Sequence, residues 1–230
     1  MKADLSKSFF AEVAHHVPRS GGVGARLHGH TLKIDIVVAG EVQPEFGWVV
    51  DFGEISRRFQ PLYDVLDHSY VNEVGGMADP SLDGIRDWLH ERLAPGLPWL
   101  KDVRVSVVGD NCYRLVELPA SEDLPARLAF TFEAAQSLPH LPEGHKCRRL
   151  HGHSYRVEVG AADLDRLRPL LETCYEALDH RSLNDIAGLE EATCERICEY
   201  LWNRLEPAAG DLEVVVVGET PTTRCEYYGE

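Results

Sequence analysis

Leu27-His28-Gly29-His30 and Leu150-His151-Gly152-His153 are one tetrapeptide met twice, and each opens an alternating, strand-like run. On a strand, residues i and i+2 project from the same face. Each copy therefore sets two imidazoles side by side, and the glycine between them keeps the opposite face slim. Two imidazoles and one further nitrogen donor make a three-ligand Zn2+ site with an open fourth position. The recurrence marks a chain built from two copies of one module.

Anchored on these tetrapeptides, the copies fall into register. Upstream, Phe9-x-Ala11-x-Val13-Ala14-His15 matches Phe130-x-Phe132-x-Ala134-Ala135-Gln136. Downstream, Leu66-Asp67-His68 matches Leu178-Asp179-His180, and the steps Asp51 to Asp67 and Asp163 to Asp179 are both 16 residues. From His30 to Asp51 is 21 residues but from His153 to Asp163 only 10, so the second copy lacks 11 residues of a connection. Apolar residues at 55, 59, 62 and 66, and at 164, 167, 171 and 175, follow the period of an amphipathic helix. Second helices open near Leu82 and Ala192, and Val103–Val108 and Leu212–Val217 read as closing strands. The expected fold is α+β: two tandem ββααββ modules with antiparallel sheets, residues 1–120 and 125–230, joined by a short polar linker. A four-stranded sheet under two helices leaves two open edges, which closure into a barrel removes.

The 230 residues suffice for two cores, and 44% hydrophobic with 27% charged is ordinary globular composition. A net charge of −15 argues against a nucleic-acid partner, and no apolar run is long enough to span a bilayer. The N-terminal Met1-Lys2-Ala3-Asp4 lacks a secretory apolar core, so a cytoplasmic protein with its six cysteines reduced is expected.

The chemistry concentrates in a few positions. His15, His28 and His30 form the first candidate metal site, His15 being preferred to His16 because its counterpart is Gln136. His151 and His153 form a second site short of one histidine. Cys147 lies among Lys146, Arg148 and Arg149, which would favour its thiolate, and its counterpart is Gly24. Asp67-His68 and Asp179-His180 are candidate proton-transfer pairs. Glu219 and its apparent counterpart Asp110 are carboxylates at strand ends, able to accept two N–H bonds from an amino-heterocycle.

These residues resemble the 6-pyruvoyltetrahydropterin synthase / 6-carboxytetrahydropterin synthase family, in tandem. The resemblance is most specific in the second copy: Phe132-x-Ala134-Ala135, Lys146-Cys147-x-x-Leu150-His151-Gly152-His153-x-Tyr155, Leu178-Asp179-His180-x-x-Leu183-Asn184, Thr193-Cys194-Glu195 and Glu219-Thr220. The first copy matches at Ala14-His15, Leu27–His30, Gly47–Phe52 and Leu66–His68. The likeness implies the tunnelling fold, in which modules assemble into β-barrels with sites at their interfaces. It also implies zinc on three histidines, a Cys/Asp/His proton-transfer set and a glutamate on the pterin ring of 7,8-dihydroneopterin triphosphate. Six modules would come from three chains, as two stacked twelve-stranded barrels. Neither copy keeps the full set: the first has the three histidines without the thiol, the second the thiol, Asp179, His180 and Glu219 without the third histidine. The expectation is a zinc-dependent enzyme in which the two copies complement each other at a shared site. The rival is an altered module that binds a pterin or purine.

Overall fold

The computed structural model describes residues 1–110 and 112–229. In the first module β1 (Lys2–His15) and β2 (His28–Glu41) form a long antiparallel hairpin, paired from Lys2–Glu41 to His15–His28. Helix α1 (Phe52–Leu66), the two-residue β3 (Ser69–Tyr70), α2 (Leu82–Leu93) and β4 (Leu100–Val107) complete it, with strand order β3-β1-β2-β4. A short β5 (Val116–Leu118) follows. The second module repeats the plan as β6 (Arg127–Gln136), β7 (His151–Ala161), α3 (Leu164–Leu178), β8 (Arg181–Ser182), α4 (Cys194–Ala209), β9 (Leu212–Thr220) and β10 (Thr223–Tyr227). The main strands are antiparallel, whereas β3 and β8 pair in parallel with β1 and β6.

The repeated 16-residue steps have a simple origin. Asp51 and Asp163 cap the N-termini of α1 and α3, accepting from the amides of Gly53 at 2.8 Å and Arg166 at 3.0 Å. Both helices are 15 residues long, so the next residue is Asp67 or Asp179. Each helix pair covers one sheet face. Ala11, Val13, Leu32, Ile34 and Ile36 pack with Ile55, Phe59, Ile85 and Leu89, and Phe130, Phe132, Tyr155 and Val157 with Leu167, Leu171, Ile197 and Leu201. Each large apolar side chain so buried contributes about 1.5–3 kcal/mol.

The first module departs from the expected plan in its last strand. β5 pairs with β6 of the other sheet, and Tyr113 and Leu115 pack on the second core. Residues 113–118 thus travel with the second module, ahead of the seam read at 120–125, and the first is ββααβ.

The two sheets meet where the His-Gly-His strands begin. A Cβ built on Gly29 would lie 2.4 Å from the Cα of Gly152, so only glycine permits this approach. Beside them the amide of Thr31 donates to Ser154 Oγ at 3.1 Å, and the amide of Ser154 donates back to Thr31 Oγ1 at 3.2 Å. The slim face read from the motif is the face on which the modules join.

Candidate active sites and metal centre

Across this seam each module completes the other's site. At the first site His15, His28 and His30 are 3–5% exposed, and one ring nitrogen from each lies within 4.8 Å of the others. Nδ1 of His15 faces the carbonyl of Pro80 at 2.7 Å, and Nδ1 of His28 that of Arg26 at 2.8 Å. A carbonyl only accepts, so both rings carry their proton on Nδ1 and turn bare Nε2 lone pairs toward each other at 3.0 Å. A second ring proton would relieve that repulsion. Burial and the neighbouring histidines oppose it, lowering His15 to about 4, His28 to about 2 and His30 to about 3. Three neutral imidazoles held by their outer nitrogens, with lone pairs converging, fit a divalent metal.

The second module supplies the rest of this site. His180 packs on His28 with ring centroids 4.4 Å apart and the planes tilted by 36°, and it bonds Asp179 Oδ2 at 2.7 Å. Glu133 accepts from His30 Nδ1 at 2.6 Å and from Ser154 Oγ at 2.7 Å. Burial pushes the Glu133 carboxyl up to about 8 against the pull of the Ser154 hydroxyl, so a cation on the far side of His30 would suit it well.

The second site is the mirror arrangement with different chemistry. His68, from the first module, stacks on His151 at 4.4 Å, and its Nδ1 lies 3.0 Å from Asp67 Oδ2. Single ligand atoms of His68, Cys147 and His151 fall within 4.8 Å of one another. Burial would raise Asp67, but its hydrogen bonds with His68 and the Glu12 amide and the charge of Lys146 hold it at about 2. Gln136 stands where the first site has His15. Its Nε2 donates to Glu219 Oε1 at 2.7 Å, and that same oxygen lies 3.0 Å from His153 Nε2. Here carboxylate and amide close the place where three histidines would converge, so the residues do not fit the three-histidine metal site. A cavity of about 620 Å³ opens beside His68, lined also by Ser69, Tyr70 and Arg149.

Both Asp-His pairs sit on a backbone that few side chains adopt. His68 and His180 each have φ of 53°, in the left-handed region. The turn is held by the neighbouring strand: the amide of His68 donates to the carbonyl of Glu12 at 2.7 Å, and the amide of Glu12 donates to Asp67 Oδ1 at 3.1 Å. Glu133 grips His180 and Asp179 in the same way, at 2.6 and 3.0 Å.

Three expectations change. The complementary losses do not meet in one pocket: Asp179 and His180 go to the three-histidine site, while Cys147 and Glu219 sit with Asp67 and His68. The Cys147 thiol is pushed up, not down, by burial and then by Glu219. Its basic neighbours are turned elsewhere, Lys146 and Arg149 to Asp67 and Arg148 to the carbonyls of Pro139 and Leu141. Asp110 is not the counterpart of Glu219. Ser106 pairs with Lys33 and Gly218 with Arg156, which are equivalent positions, so the residue matching Glu219 is Val107. Asp110 lies three residues beyond, exposed, its amide donating to Thr131 Oγ1 at 2.9 Å. Glu12 and Glu133, which the spacing of the motifs does not single out, are the charged residues within the buried apolar stretches 11–14 and 132–135.

Set beside known proteins, the chain matches the 6-pyruvoyl tetrahydropterin synthase family over residues 4–117 and again over 126–230. It belongs to that family, as a tandem pair of its tunnelling-fold modules. Among curated relatives it is 41% identical over 120 residues to the 6-carboxy-5,6,7,8-tetrahydropterin synthase of Synechocystis, a match covering 43% of this chain and 88% of that protein. It is 35% identical over 72 residues to the dihydroneopterin monophosphate aldolase of Pyrococcus furiosus, covering 31% and 60%. The 6-pyruvoyl tetrahydropterin synthase of Caenorhabditis elegans aligns over 47% of this chain and 90% of its own, at 16% identity and a TM-score of 0.44. Among the described residues no helix is long and apolar enough to cross a membrane.

Proposed function

We propose that the chain is a lyase acting on 7,8-dihydroneopterin triphosphate to give a 6-carboxy- or 6-pyruvoyl-tetrahydropterin. On this reading turnover takes place at the second site, and zinc resides at the first. What supports it is the grouping around Cys147, whose Sγ shares a 4.8 Å cluster with His68 of the other module and His151, with Asp67 and Glu219 near enough for their charges to act on the thiol.

Each residue has a task suited to its surroundings. Burial would raise Glu219, but His153 and Gln136 hold it ionised at about 2, so it can accept two N–H bonds from the pterin ring. Cys147 begins as a thiol, and His68, oriented by Asp67, moves its proton. Together the two exchange protons between the side chain of the substrate and its ring. The ring gains the hydrogens that the side chain gives up, so no external reductant is needed: triphosphate leaves to give the 6-pyruvoyl product, and for the 6-carboxy product one water is added and acetaldehyde leaves together with triphosphate. Arg149, on the wall of the cavity beside His68, is placed to meet an anionic side chain. Zinc on His15, His28 and His30 would sit at the other site, outside this proton transfer, where the chemistry it would supply is that of a Lewis acid.

Mixing chain and substrate in single turnover tests the reading. Conversion to a tetrahydropterin, abolished in Cys147→Ala, is the expected result. Gln136 in a ligand position favours one other reading, an altered module that binds pterin or purine without turnover. It predicts saturable binding with the substrate recovered intact.

A further inference from the structure

The contacts that reach furthest across the seam are those of two buried glutamates, Glu12 and Glu133, which occupy equivalent positions in β1 and β6. Each does two things at once. Its backbone pins the Asp-His turn of its own module, through the amide and carbonyl bonds given above. Its side chain crosses to the outer nitrogen of a histidine in the other module: Glu133 to His30 Nδ1 at 2.6 Å, Glu12 to His153 Nδ1 at 2.9 Å. A hydroxyl of its own module steadies each carboxylate, Ser154 on Glu133 and Thr31 on Glu12, both at 2.7 Å. On the far side of Glu133, Gly109 closes in so tightly that a Cβ there would lie 2.0 Å from Oε1.

We infer that Glu133 and Glu12 are crossed positioning residues, each orienting from one module a histidine of the site whose two-histidine strand belongs to the other. Glu133 serves the three-histidine site and Glu12 the Cys147 site. Neither touches the place where substrate or metal would sit. Glu133 fixes the proton of His30 on Nδ1 and therefore where Nε2 points, while Glu12 and Glu219 bracket both nitrogens of His153 and so hold the plane of its ring. A carboxylate behind a ligating histidine sets the ring's tautomer and basicity, and losing it typically weakens metal binding ten- to a hundredfold. Both glutamates sit beside the tight Gly29–Gly152 contact, so the seam that joins the modules also sets the geometry of both sites.

The test uses the full chain and two isosteric variants, Glu133→Gln and Glu12→Gln. Zinc affinity is measured by competition with a chromogenic chelator, and the imidazole N–H resonances of His30 and His153 by NMR on metal-free protein. In Glu133→Gln, zinc binding falls ten- to a hundredfold and the His30 resonance moves upfield while that of His153 stays. In Glu12→Gln, the His153 resonance moves and zinc affinity holds within about twofold of wild type. The two glutamates are both buried at the same seam, so general damage would weaken zinc binding in both variants, and that outcome overturns the inference. An unchanged His30 resonance in Glu133→Gln overturns it equally. Should Glu133→Gln fail to fold, Ser154→Ala removes the hydroxyl behind Glu133 together with its bond from the Thr31 amide, with a smaller loss of zinc affinity and a shifted His30 resonance expected; no effect on either counts against the inference. If wild type binds no zinc, the reading of the first site as a zinc centre fails, and the NMR arms still decide the positioning.

Discussion

Gln136 and His15 occupy equivalent ends of equivalent strands, and the two sites differ most in consequence of that one exchange. With histidine, three lone pairs converge and call for a cation. With glutamine, the amide donates to Glu219 where the third imidazole lone pair would have been. Metal analysis should therefore find one zinc per chain in wild type, none in His15→Ala and two in Gln136→His. Two in wild type would mean that the second site also holds metal, on His151 and His153 with Glu219 or on His68, Cys147 and His151. Acid should empty the first site in a definite window. The three rings have folded pKa values of about 4, 2 and 3 against 6.5 unfolded. The unfolded chain thus takes up protons first as pH falls. Any stability the neutral rings provide is intact above pH 6.5 and is lost progressively as pH drops from there through about 4 for His15 and down to about 2 for His28. Zinc competes for the same lone pairs, so its release, followed by chelator absorbance, should be steeper than a one-proton curve over that window.

At the scale of elements, glycines at the strand starts let the two hairpins touch. A methyl on Gly29 or Gly152 would fall within 2.4 Å of the opposing backbone, and backbone has little room to yield. Gly29→Ala and Gly152→Ala should each cost about 1–3 kcal/mol or more in chemical denaturation, with both sites disturbed together. A variant of unchanged stability that keeps its zinc would show that the seam opens easily. Much of this level was legible in the chain. The 16-residue steps were helix lengths, the His-Gly-His pairs were paired strand starts, and the glycine face was the joining face. What hid was whatever depends on pairing across space. Strand alternation places His15 with His28 and His30, but only the seam decides which Asp-His pair faces them. Asp110 looked like the partner of Glu219 because both follow a closing strand, whereas the ladder register sets Val107 there. Lys146 and Arg149 flank Cys147 in sequence yet reach to Asp67 in space, so proximity along the chain gave the wrong sign for the thiol.

For the molecule as a whole, the unpaired strand edges set the remaining requirement. β3 covers β1 only at Val13 and Ala14, leaving most of that 14-residue strand without an outer neighbour, and β4 pairs on one side only. In the second sheet, β10 ends the ladder at one side, while β5 and β8 cover only parts of β6. Long uncovered edges invite pairing with another chain, and sheets of this kind resolve it by closing on themselves. Four strands in the first sheet, counting the two-residue β3, and four main strands in the second are too few to close alone. In the expected assembly three copies of each module make two twelve-stranded rings, which would stack where Gly29 meets Gly152. Open edges on both modules argue that both rings close together. Light scattering should thus give three times the chain mass of 25.7 kDa, without dissociation on dilution to the micromolar range, since each added chain covers edges on both rings. A monomer at that concentration would leave these edges bare in water and would refute the closed-ring assembly.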